Sequence, residues 1–194
     1  MNKFLSVGNN RLILRSKEYP WLNACLHFTG DETHLYAYGY KRAAEVLAEH
    51  VMINRMDLNS LVYPILYLYR QCIELQLKSL IRNGSMLLDS PRCAPNTHNL
   101  RTLWTQCKEV LSAIFDDDQS SISEIETVVL QLSEVDPHSQ AFRYPEDSRG
   151  NESLAGISHV NLKAISDVLV EISGLLDGAE TGISEYLSNR SLGS

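Results

Sequence analysis

Residues 63–82 read YPILYLYRQCIELQLKSLIR. A helix drawn through them is apolar on nearly every side, and a helix of that character belongs in an interior. Yet Arg70, Glu74 and Lys78 follow one another at intervals of four, with Gln71 beside the first. At that spacing all four fall along one narrow line of the helix. Burying a charge costs several kcal/mol unless it is paired and hydrogen-bonded. Another part of the chain, a second subunit or a ligand must therefore satisfy this stripe.

The segments on either side supply the rest of the fold. Asp31 or Thr33 caps a first helix reaching about Met52, with Leu35, Tyr36, Tyr40, Ala44, Leu47 and Val51 close to helical spacing. Asn59 or Ser60 caps the second helix, Pro64 falls near its first turn, and Asn83-Gly84 reads as its end. Two prolines make residues 85–97 a loop. Thr97 or Asn99 then caps a third helix carrying Leu100, Leu103, Trp104, Cys107, Val110 and Leu111. After the acidic run at residues 116–118, Ser121 or Ser123 opens a fourth helix, with Glu126 at capping-box spacing from Ser123. It stops before Asp136-Pro137. Residues 137–157 form a long polar loop, a last long helix covers about 158–177, and a short helix lies near 182–188. The expected organisation is an irregular lead-in over residues 1–30, a single domain over 31–188 and a frayed tail over 189–194. Ten glycines and six prolines, clustered between the periodic segments, favour helices. The fold class is all-α, an antiparallel up-and-down bundle of about five helices.

The totals exclude several functions. A net charge of −7 with no Lys/Arg-rich run argues against broad coating of nucleic acid, though not against a small local cleft. No apolar run approaches the roughly 18 residues of a membrane span. No signal peptide is evident at the start, so a cytoplasmic location is expected. The four cysteines, Cys25, Cys72, Cys93 and Cys107, form no C-x-x-C pair and read as reduced thiols. Neither a metal nor a cofactor is expected from the ligand spacings.

Three segments, YPILYLYRQCIELQLKSLI, HNLRTLW and DPHSQAFRYPED, occur in that order. In these segments the chain resembles bacterial HEPN-domain proteins, over about residues 35–177. The resemblance implies a helical bundle that often forms a homodimer. Many members of that family are metal-independent endoribonucleases, commonly toxins of toxin–antitoxin pairs or phage-defence effectors. They place an Arg four to six residues before a His at a cleft between two subunits. Others have lost that motif and act as binding or regulatory modules. Arg92 and His98 have the family's spacing, but Cys93 stands where a polar residue is usual and Leu100 where a Tyr is frequent. Arginine and histidine meet at that spacing by chance about once in a chain of this composition.

The candidate catalytic residues are therefore His98, Arg92 and Arg70. A neutral His acts as general base or acid near pH 7, and an Arg stabilises charge developing on a phosphorane. Gln71, Glu74, Lys78, Asp136, Arg143, Tyr144 and Asp147 form a second set, as a substrate-binding cleft or as a structural network. In the structural reading Arg143 reaches Glu74, while Asp136 or Asp147 reaches Arg70, fixing the loop to the bundle. RNA is the candidate substrate, and an antitoxin or regulatory protein a candidate partner.

Overall fold

The computed structural model describes residues 19–27, 32–91 and 93–192. Two compact units divide the chain, residues 1–32 and residues 33–194. In the first, Pro20–Leu22 form a single 3-10 turn. The Tyr19 and Trp21 rings meet edge to face there at 5.8 Å.

The second unit holds the bundle. Five helices are formed among the described residues: α1 (Glu32–Asn54), α2 (Leu58–Leu87), α3 (Leu100–Ile114), α4 (Gln119–Val135) and α5 (Leu162–Leu192). Among those residues there is no strand, only an isolated bridge between Glu146 and Glu152 in the α4–α5 loop. The core is continuous. Ile65, Leu66, Ile73, Leu77 and Leu80 of α2 are buried with Leu103, Trp104 and Cys107 of α3, Val129 of α4 and Leu169 and Leu176 of α5. Helix α2 packs on α3 and α5, α3 on α4, and α4 on α5. Ala44, Ala48 and Val51 bring α1 into the same core, and Lys41 reaches Asp177 of α5 at 3.0 Å. The stripe-bearing helix is thus the central one.

Side-chain caps open three of the helices. The Asn99 side chain accepts from the Thr102 N–H at 3.0 Å and caps α3. Asp118, rather than Ser121 or Ser123, caps α4, accepting from the Ser121 N–H at 3.4 Å. Asn161 accepts from the Ala164 N–H at 3.0 Å where α5 begins.

Two helices run further than their glycines imply. Helix α2 continues through Asn83-Gly84 to Leu87, because Gly84 serves packing and not termination. A Cβ there would lie 2.2 Å from Val110 Cγ1, so α2 and α3 approach closely only at a glycine. Helix α5 is unbroken from Leu162 to Leu192, where a long helix over about 158–177 and a short one near 182–188 were expected. Gly182 sits within it against the Phe115 ring, which a Cβ would meet at 3.3 Å.

Candidate functional site

Glu74 lies at the middle of α2 and is 2% exposed. Its carboxylate is the hub of the charged stripe. Oε2 accepts from Arg70 Nη1 at 2.6 Å. Oε1 accepts from Lys78 Nζ at 2.7 Å and from His98 Nδ1 at 2.8 Å. Burial pushes the Glu74 carboxyl up, but the hydrogen bonds from Lys78, Arg70 and His98 outweigh it and hold the group below its ordinary range. Glu74 is therefore ionised at neutral pH and can only accept. The His98 proton then sits on Nδ1, leaving Nε2 as the open lone pair.

Arg70 is wholly buried, at 0% exposure. Its Nη2 donates to the backbone carbonyl of His98, tying the middle of α2 to the segment that leads into α3. Its Nε stands 3.1 Å from Asp136 Oδ2. The two groups form a fully buried ion pair rather than an aligned hydrogen bond. Asp136 uses its other oxygen on the loop, accepting from the N–H groups of Gln140 at 2.7 Å and Ala141 at 3.0 Å. Two carboxylates thus balance two cations, Arg70 and Lys78, around His98. Buried ion pairs persist where hydrogen bonds satisfy the remaining atoms.

The loop is held from a second side. Gln71 Nε2 donates to Ser139 Oγ at 2.6 Å. The Ser139 carbonyl accepts from Arg143 Nε at 2.6 Å. Ser139 has a φ of +60°, a left-handed conformation uncommon outside glycine. Arg143 does not reach Glu74. Its guanidinium lies 5.4 Å from the ring centres of both Tyr67 and Tyr144, within cation–π range. Asp147 does not reach Arg70 either. It is exposed and builds its own turn, accepting from the N–H groups of Arg149 at 2.8 Å and Asn151 at 2.9 Å. Local backbone donors are nearer to Asp147 than α2 is, and they take its oxygens.

The sequence-chosen residues therefore separate. Arg70, Gln71, Glu74, Lys78, His98 and Asp136 come together, Arg143 and Tyr144 stand beside Tyr67, and Asp147 is elsewhere. Arg92 lies outside the described residues. Arg70 is withdrawn from direct substrate contact, because every face of it is covered by protein. The exposed members are the ones able to meet a solute. The His98 side chain is 67% exposed and Lys78 is 19% exposed. Their environment includes Tyr40, whose hydroxyl is pushed above its ordinary range by burial, then by Tyr67, Tyr36 and Glu74. Tyr40, Tyr67 and Ser139 were not foreseen. Tyr40 and Tyr67 carry no spacing signal distinguishing them from core aromatics, and the role of Ser139 depends on a loop conformation.

A second polar network joins α2 to α5. Gln76 Nε2 donates to the Ser173 carbonyl at 2.9 Å and to Asp177 Oδ1 at 2.7 Å, and Asp177 also receives Lys41. Cys72, beside it, has its thiol pushed up to about 11 by burial. Burial also raises Cys107. Neither is a ready nucleophile near neutrality. Among the described residues, no group of three His, Cys, Asp or Glu is placed to hold a metal ion. No helix there is long and apolar enough to cross a membrane.

Compared with family models, curated proteins and solved structures, the chain finds no match.

Proposed function

We propose that this chain is an HEPN-like helical protein that cleaves RNA at the His98 site without a metal. The observation that carries the reading is the shared oxygen Glu74 Oε1, which fixes the ring through Nδ1 beside a lysine and turns Nε2 to solvent. In the reaction, His98 Nε2 takes the proton of a ribose 2′-hydroxyl. That oxygen attacks phosphorus, the bond to the 5′-oxygen breaks, the leaving oxygen takes a proton from water, and the imidazolium returns its proton to solvent. Glu74 stabilises the imidazolium formed, as a buried carboxylate does for a catalytic histidine. Lys78 supplies positive charge toward the non-bridging oxygens. Arg143, over Tyr67 two helical turns from Glu74 and so about 10 Å along α2, provides a cation–aromatic platform for a flanking nucleotide.

The test is RNA cleavage by the purified protein in excess chelator, with product ends analysed. Wild type is expected to leave 2′,3′-cyclic phosphates. His98→Ala should lower the rate by about 100-fold or more, the usual contribution of a general acid–base group. Equal rates in both proteins would remove His98 from the chemistry.

A second reading rests on Arg70. Its complete burial, and its use in tying α3 and the α4–α5 loop to α2, suit a non-catalytic binding or regulatory module whose stripe is structural. An antitoxin or regulatory protein is the proposed partner in that case. Absence of cleavage by wild type, together with a stability loss in Glu74→Gln, would favour it.

A further inference from the structure

Two adjoining cavities flank the α4–α5 loop, one apolar and one carrying charge. The first holds about 390 Å³ between α4, α5 and that loop. Val128 and Leu132 of α4 line it, with Ile165, Val168 and Leu169 of α5. Gln131 is the one polar side chain among the described residues on its wall, and none of them is charged. The second cavity, of about 480 Å³, lies beside Tyr63, Arg143 and Tyr144. Phe142, Leu154 and Ile157 line both, so the two meet along these residues. Packed interiors leave few voids larger than a water molecule. Small-molecule sites, by contrast, are spaces of roughly 300–1,000 Å³ with mostly apolar walls and a few placed polar groups. The shared wall is also strained. Leu154 holds a φ of +58°, a left-handed conformation in which a branched side chain crowds the backbone. Strain of this kind concentrates where a ligand is clamped.

Charge selects the occupant. Arg143 gives its Nε to the Ser139 carbonyl at 2.6 Å and sets its guanidinium against the Tyr67 and Tyr144 rings. Its two terminal nitrogens make no hydrogen bond or ion pair with the described residues. Those nitrogens form a planar fork that fits a carboxylate. Glu152 is the other charged side chain on that wall. One cation beside one carboxylate suits a head with a single negative charge better than a phosphate dianion. The apolar cavity beyond gains by burying hydrocarbon and has almost nothing to satisfy a polar tail. We propose that the chain binds a free aliphatic monocarboxylate, its head on Arg143 and its tail between α4 and α5. The site needs no cleavage at His98, although a flanking nucleotide and the carboxylate would share Arg143.

Calorimetric titration of the full chain with octanoate, hexanoate and octanol tests it. Octanoate should bind as one molecule per chain. Hexanoate, shorter by two methylenes, should bind about 15-fold more weakly, at about 0.8 kcal/mol for each buried methylene. Octanol keeps the tail and loses the charge, and should bind at least about tenfold more weakly, the value of a hydrogen bond to a charged group. Arg143→Gln, at an exposed position, should bring octanoate down to the affinity of octanol. Octanol binding itself should be unchanged in that variant, which shows the cavity intact. Val168→Asp, at a position 41% exposed on the apolar wall, should abolish binding of all three while circular dichroism shows the helices retained. No binding of octanoate by wild type at millimolar concentration, octanol as tight as octanoate, or octanoate held equally well by a folded Val168→Asp would each overturn the proposal. Equal affinities for octanol and octanoate would point instead to a wholly apolar occupant, such as a side chain of another protein.

Discussion

At the residue scale, Glu74 is the position on which most depends. It neutralises two cations and holds His98, and its removal leaves Arg70 charged in the interior. Glu74→Gln keeps the shape and loses the charge. It should destabilise the fold by about 3 kcal/mol, as deleting one partner of a buried pair does, read as a lower urea midpoint. An unchanged midpoint would mean that Arg70 finds its counter-charge in Asp136 alone. The pH dependence follows from the same group. The Glu74 carboxyl is held below its ordinary range in the folded chain. Its stabilisation is therefore complete above the unfolded carboxylate value of about 4.3, and is lost as pH falls through the lower folded value. Urea midpoints taken from pH 7 downward should fall less steeply in Glu74→Gln than in wild type. The stripe was legible because spacings of four are a local property of one helix. Asp136 was placed among its candidate partners by the loop's charge alone, whereas Arg143 and Asp147 were misplaced, because nearer backbone partners and the Tyr67 ring compete for them.

At the scale of the element, the glycines carry the lesson. Gly84 reads as a stop and Gly182 as the start of a short helix, yet each lies inside a continuous helix at a close contact. A glycine that ends a helix and one that admits a neighbour look identical in sequence, and only the packing of α3 and Phe115 distinguishes them. Gly84→Ala should therefore destabilise by about 1–3 kcal/mol through overpacking on Val110, more than offsetting the gain of roughly 1 kcal/mol in helix propensity. Gly174→Ala on α5, where a Cβ meets nothing within 4 Å, should instead stabilise by about 0.5–1 kcal/mol. Thermal melts of the two variants should move in opposite directions. Matching shifts would contradict the packing role of Gly84.

At the scale of the whole molecule, the buried network adds a polar tether to the direct packing of the helices. Arg70 connects α2 to the start of α3 through the His98 carbonyl, and Asp136 extends the link into the α4–α5 loop. Buried Phe142 and, further along, Leu154 and Val160 pack the loop on the core, and these bonds fix the backbone between Asp136 and Phe142. Asp136→Ala should raise amide exchange across residues 139–144 while leaving the centre of α3 protected. Uniform protection in both proteins would show that Phe142 alone seats the loop. The bundle as a class was readable from helical periodicity, because periodicity reports burial. The site was only half readable, because the contacts that assemble it join residues up to 68 positions apart, as between Gln71 and Ser139.

The site turns on one arrangement, in which buried Glu74 grips His98 by Nδ1 and leaves Nε2 to solvent. Nitrogen-15 chemical shifts of the His98 ring measure it directly. At a pH where the ring is neutral, wild type should show a protonated Nδ1 and an unprotonated Nε2, and Glu74→Gln should shift the tautomer balance toward the Nε2-protonated form. A wild-type ring protonated at Nε2, or a tautomer ratio indifferent to Glu74→Gln, would contradict it.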